Sequence, residues 1–230
     1  MSHPGRTHHT PVICATLGKP APLPRHAQAP NMPDMKKHIY ILTGASRGMG
    51  LAMAEQLLQA GHTVLCISRH ANPALGTLAT HTGAALTQWT QDLADGQAAS
   101  ERLQTWLQNQ NPADHASVNL INNAGVIPPI VPLGQSKPAD LAQSLRVGLE
   151  APMQLCAAFL GATQAWPVPR KVLNISSGLG RYPMASQAGY CAAKAGMDHF
   201  TRCMALDEAL QANGAKVCSL APGVIDTDMQ

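Results

Sequence analysis

The sequence predicts an α/β fold: one domain built on a parallel, doubly wound sheet with helices on both faces. Three observations predict it. From residue 38 onward, short apolar runs of strand length alternate with segments of helical periodicity. A glycine-rich turn joins the first of those runs to the first helical segment. The 230 residues, 45% of them hydrophobic, are enough for one sizeable core, and with aromatics at only 3% that core must be built from Ala, Leu, Val and Ile.

Taken in order, His38–Thr43 reads as the first strand and Met49–Ala60 as a helix. Leu51, Ala54, Leu57 and Leu58 recur at helical spacing, and Gly61 ends the helix. Thr63–Ser68 is the second strand, Ala71–Thr82 a weaker helix and Ala85–Trp89 the third strand. Gln97–Gln108 is a helix with Leu103, Trp106 and Leu107 on one face, followed by the fourth strand, Val118–Ile121. Pro138–Thr163 is a long helix, Lys171–Ile175 the fifth strand, Gly189–Ala212 a second long helix stopped by Asn213-Gly214, and Lys216–Leu220 the sixth strand. There is no internal repeat and no second domain in this pattern.

Residues 1–34 differ from the rest, with seven prolines, four histidines and one acid. Such a segment buries too little apolar area to offset its ordering entropy. It reads as a disordered extension or as the product of a start assigned too early, since Met35 opens directly onto Lys36-Lys37 and the first strand; a transit peptide is a third reading. Residues 35–230 form the folded domain. The net charge of +3 falls mostly in that first stretch, so the domain has no electrostatic case for nucleic acid, and no apolar run is long enough to span a bilayer. The six cysteines are scattered without a CxxC pair, which favours free thiols in a reducing cytosol over a disulfide framework or a zinc site.

The chemistry begins at Thr43-Gly44-Ala45-Ser46-Arg47-Gly48-Met49-Gly50. A strand that turns sharply into a helix presents free backbone N–H groups and the positive end of the helix dipole. Glycines there let a pyrophosphate approach the backbone and let the helix pack on the strand. The turn therefore predicts a dinucleotide site of Rossmann type, with Gly44, Ser46, Arg47, Met49 and Gly50 against the cofactor. The second strand ends in Ser68-Arg69, where an NAD enzyme usually offers a carboxylate to the ribose. Arg69, together with Arg47, would pair with a 2′-phosphate instead, which favours NADP.

Tyr190 and Lys194 lie four apart on a helix and so share a face. An ammonium beside a phenol lowers the phenol pKa toward neutral, and such a phenol can pass a proton to a carbonyl oxygen. Taken alone, a Tyr-x-x-x-Lys pair is equally a surface pair on a helix.

The glycine spacing TGxxxGxG, the Tyr190–Lys194 pair and the order of the other motifs resemble the short-chain dehydrogenase/reductase family from Lys37 to Gln230. The resemblance implies NADPH-dependent reduction of a ketone, aldehyde or diketone. In its terms Tyr190 is the acid, Lys194 grips the nicotinamide ribose, and both also contact the cofactor. The family's catalytic Ser precedes its Tyr by thirteen residues, which selects Ser177 over Ser176. The resemblance further assigns Asp92 and Leu93 to the adenine ring, although Asp92 is equally a helix N-cap. Asn123, Ala124 and Gly125 of the Asn122-Asn123-Ala124-Gly125 turn support cofactor and sheet. Pro222, Gly223, Ile225 and Thr227 flank the nicotinamide. The segment Ala221–Gln230 (APGVIDTDMQ) resembles sepiapterin reductases and bacterial benzil reductases, implying diketones or other activated carbonyls. Leu179, Tyr182 and Met184 are candidates for the substrate side. A homo-oligomer through the two long helices and a cytoplasmic location also follow from the resemblance.

Two features depart from the family pattern. Gly148 replaces an Asn that completes the family's catalytic tetrad. It offers no side chain to hold a water or a helix kink, so a slower enzyme is expected, with Gly148→Asn raising the catalytic constant. The family also continues past this proline-glycine segment with a covering segment, a helix and a seventh strand. An exposed sheet edge and an incomplete lid are therefore expected. Two alternatives to the enzyme remain: a non-catalytic NADP-binding protein, and a nucleotide-sugar epimerase or dehydratase, whose usual TGxxGxxG spacing and larger C-terminal domain are absent.

Overall fold

A computed structural model of the chain describes residues 36–223; residues 1–35 and 224–230, with Ile225 and Thr227 among them, lie outside the described residues. Six strands form one sheet: β1 (Lys37–Thr43), β2 (Thr63–Ser68), β3 (Ala85–Thr90), β4 (His115–Asn122), β5 (Arg170–Ile175) and β6 (Lys216–Leu220). All neighbours are parallel, in the order β3-β2-β1-β4-β5-β6. Strand order reverses between β1 and β4, and a crevice opens beyond the carboxyl ends of those strands. That crevice is the place for a ligand.

The sheet is covered on both faces, which is why its central strands read as continuous apolar runs. On one face Leu42, Val64 and Cys66 pack with Ala54 and Leu58 of α1 (Gly48–Gln59) and Leu75 of α2 (Pro73–Thr82). On the other, Ile39, Ile41, Leu65 and Leu120 pack with Leu103 and Leu107 of α3 (Gly96–Gln108) and with Leu155 and Phe159 of α5 (Ala151–Thr163). Met204 of α6 (Ala188–Ala209) closes this second layer. Each fully buried Leu or Phe contributes about 1.5–3 kcal/mol. Strand β6 pairs only with β5; its Lys216, Cys218 and Leu220 are exposed, while Val217 and Ser219 lie partly covered. Among the described residues no further strand pairs with β6.

Several elements begin or end away from the sequence reading, each for a tertiary or capping reason. Helix α2 starts at Pro73 because the Asn72 side chain accepts from Ala74 N at 2.9 Å. Strand β4 starts at His115, where pairing with Lys37 recruits residues too polar to read as a strand. Helix α6 ends at Ala209. Arg170 binds Glu208 (3.1 Å) and the carbonyl of Asn213 (3.1 Å), and Glu208 also accepts from Ala215 N (2.7 Å), drawing the chain into a tight turn. The long helix Pro138–Thr163 is continuous, as the periodicity predicts. It runs from α4 (Pro138–Leu145) to α5 through a π turn at Arg146–Glu150. Gly148 sits buried in that turn, so the helix widens at this position without an amide side chain to hold it.

Candidate active site and cofactor cleft

The glycine turn is fastened from three sides. Gly44 N donates to Ile67 O (2.8 Å), Ala45 N donates to the buried Ser68 hydroxyl (2.9 Å), and Asn123 Nδ2 donates to Thr43 O (3.1 Å) and Gly44 O (3.2 Å). Thr43 repays the contact: its Oγ1 accepts from Asn123 N (2.9 Å) and Ala124 N (3.0 Å), locking the second turn to the first. Gly44 (φ 71°) and Gly48 (φ 55°) take left-handed backbone, and a methyl group on Gly50 would lie 2.1 Å from Gly44 O. Helix α1 is thus brought onto β1 closely enough for its first N–H groups to face the crevice.

A cleft of about 820 Å³ runs across the carboxyl ends of the strands. At one end it is lined by Ser46, Arg47, Met49 and Gly50, by Arg69 and, missed by the sequence reading, His70. Asp92 and Leu93 line its side; Asp92 Oδ1 accepts from Ala94 N (2.9 Å), whereas the N-cap of α3 is Asp95. Gly44, Asn123, Ala124 and Gly125 form the floor. At the far end stand Ser177, Tyr190 and Lys194, with Pro222 and Gly223 beside them. Leu179 and Met184 line this end with Val126, Ile127, Gln143 and Val147, while Tyr182 does not line it and is 73% exposed.

Both serines of the pair line the cleft: Ser176 is buried with its hydroxyl unpartnered, and Ser177 is the more exposed, its Oγ accepting from Leu179 N at 3.2 Å. A buried polar chain sets the height of α6 against the sheet. Asn122 Nδ2 donates to Asn174 Oδ1 (2.8 Å) and Asn174 Nδ2 to Thr201 Oγ1 (2.8 Å). The loop after Ser177 is pinned to the same helix by Arg181 and Asp198, 3.5 Å apart, and Gly180 would bring any Cβ within 2.9 Å of the Lys194 backbone.

The electrostatics differ from the sequence reading in one respect. Burial pushes the Tyr190 phenol above its ordinary pKa of 10; the Ser177 hydroxyl opposes this, and Cys191 adds to it. The expected depression by Lys194 is corrected. Its Nζ lies 5.7 Å from the Tyr190 ring centroid and donates to Ile175 O at 2.7 Å. Burial brings Lys194 itself down to about 8, with the Asp198 carboxylate one turn away opposing the fall. The ammonium belongs to the strand end, so desolvation dominates at the phenol.

Fold and cleft together define a dinucleotide-binding α/β protein of Rossmann type. The family model for short chain dehydrogenases matches residues 38–230, and the chain belongs to that family of oxidoreductases. It is 36% identical over 190 residues to a benzil reductase ((S)-benzoin forming) of Bacillus cereus, covering 83% of this chain and 76% of the relative. It is 32% identical over 200 residues to a sepiapterin reductase of Xenopus laevis, covering 82% and 74%. Among solved structures it resembles a metagenomic short-chain oxidoreductase in complex with NADP, with a TM-score of 0.71, 30% identity, and coverage of 83% of this chain and 84% of that one.

Proposed function

We propose that this chain reduces the carbonyl of a small, uncharged ketone, aldehyde or diketone to the alcohol, using NADPH. The observation that carries the reading is one continuous cleft with two cations at one end and Ser177, Tyr190 and Lys194 at the other. NADPH, when bound, supplies the hydride. Arg47 and Arg69 take the 2′-phosphate, and the glycine turn takes the pyrophosphate on its N–H groups. The carbonyl oxygen sits between the hydroxyls of Ser177 and Tyr190. A phenol whose pKa is raised stays protonated at neutral pH, which suits a group that must deliver a proton to a developing alkoxide. Lys194, which lines the same end of the cleft, would hold the nicotinamide ribose with its ammonium. Apolar Val126, Ile127, Leu179 and Met184 around that end favour an uncharged substrate. The similarity to benzil reductase supports an activated diketone.

The test is consumption of NADPH by the purified chain with benzil and a panel of simple ketones and aldehydes. Turnover that Tyr190→Phe abolishes while NADPH still binds supports the reading. Tight NADPH binding with no turnover across the panel favours the second reading, a non-catalytic NADP-binding protein, for which the one specific observation is Gly148 at the tetrad position. The same reading places the protein in the reducing cytosol, where the buried Cys66 and Cys156 thiols, both pushed up to about 12, stay protonated. It also pairs copies through the exposed apolar side chains of Met153 on α5 and Leu206 on α6.

A further inference from the structure

Arg47 and Arg69 come from separate segments, the glycine turn and the loop after β2, and both are exposed. Two long cations on independent loops would lose much of their attraction for one anion to the entropy of holding them together. The structure joins the two segments. Asn72 Nδ2 donates to Ser46 O at 3.1 Å, bridging from the Arg69 loop to the residue next to Arg47. The opposite edge of the same amide, Oδ1, accepts from Ala74 N and caps α2. Asn72 is itself gripped from β3. Its N–H donates to Gln88 Oε1 (2.8 Å) and its carbonyl accepts from Gln88 Nε2 (3.0 Å), a two-point clamp of side chain on backbone. Gln88 pairs in register with Cys66 in the middle of β2, so the clamp is anchored to the rigid sheet. Neither residue lines the cleft, and the chemistry proposed above uses neither.

We propose that Asn72 and Gln88 are positioning residues for the cofactor's 2′-phosphate. They tie the Arg69 loop to the Arg47 turn and so preset both guanidiniums for a single anion. The inference rests on the NADPH reading and adds that cofactor selectivity depends on two neutral amides outside the cleft. Residues that merely supported the fold would affect NADPH and NADH alike; residues that aim the arginines affect NADPH alone.

The test is fluorescence titration of the full chain with NADPH and with NADH. Asn72→Ser keeps a hydroxyl to cap α2 but is too short to reach Ser46; Gln88→Met keeps the length and loses both clamp bonds. Each is expected to weaken NADPH roughly 10-fold, the scale of one hydrogen bond's help to a charged contact, with NADH held within about twofold. In an Arg69→Ala background the Asn72→Ser loss should shrink to about twofold, because with Arg47 alone there is no pair of guanidiniums left to align. Equal weakening of both cofactors, unchanged NADPH affinity, or a full additive loss in the Arg69→Ala background overturns the inference. A wild-type chain that does not prefer NADPH overturns the cofactor reading itself, and the inference with it.

Discussion

Replacing Gly50 with alanine places a methyl group where the fold leaves no room. The new Cβ would lie 2.1 Å from Gly44 O, 2.6 Å from Asn123 Nδ2 and 2.8 Å from Gly44 C. Ordinary contact needs more than 3 Å, so the Gly44 carbonyl must retreat by about 1 Å, and Gly44 is itself hemmed in by the Ala124 backbone at 2.9 Å from any added Cβ. Overpacking against backbone costs roughly 3 kcal/mol, and disturbing the two Asn123 bonds adds about 1–2 kcal/mol. For a domain of this size the sum lowers Tm by roughly 10 °C. NADPH affinity should fall by at least about 100-fold, because the displaced turn is the one that presents N–H groups to the phosphates. The control is Gly76→Ala in α2, whose added methyl meets nothing within 4 Å. There the same chemical change should stabilise by about 0.5–1 kcal/mol through helix propensity and leave NADPH binding alone. Thermal melts and NADPH titration of both variants are the assay. Gly50→Ala binding NADPH within about threefold of wild type, with a Tm close to that of wild type, would refute the steric argument.

Three further outcomes are expected. Gly148→Asn adds a Cβ 3.1 Å from that of Ala193, the neighbour of Lys194, so the single change should lower Tm despite removing a helical glycine; Gly148→Asn with Ala193→Gly should recover stability and only then raise kcat, and a single variant that melts higher than wild type would contradict this. The rate of carbonyl reduction should decline as pH rises through about 8, where Lys194 loses its charge, and Asp198→Asn should move that limb to lower pH; a profile flat from neutral to pH 9 would count against a role for the cation. His62 is held below 6.5 by burial and then by His38 and Lys37, and His115 by burial. The unfolded chain therefore binds protons that the folded one refuses, so the stability these groups contribute is complete above pH 6.5 and is lost as pH falls toward their lowered values. Urea unfolding at about pH 7.5 and about 5.5 should show the loss, smaller in His62→Gln.

The chemistry-bearing motifs were legible because they are local. Gly44 and Gly48 take left-handed backbone and Gly50 packs on the Gly44 carbonyl, all within one short turn, and Tyr190 and Lys194 share a helix face by periodicity alone. Alternation of apolar runs likewise specified six strands and their parallel sense. Other features depended on partners distant in sequence. Nothing near Gln88 marks it as a clamp on Asn72, sixteen residues earlier, until β2 and β3 lie side by side. Thr43 gains its role only when β4 brings Asn123 beside it, 80 residues on. The Tyr190–Lys194 pair shows the limit most sharply: spacing placed the ammonium near the phenol, but β5 supplied the Ile175 carbonyl that holds it, and burial decided both pKa directions.

Sequence by itself therefore determined the fold class, the glycine turn and the identity of the side chains at both ends of the cleft, since helical and strand periods and backbone sterics act within a few residues. Only the tertiary structure decided which of those side chains are free, which are tethered, and how strongly each holds its proton. Desolvation and hydrogen-bond geometry are properties of the packed neighbourhood, and that neighbourhood is assembled from strands that the chain itself keeps far apart.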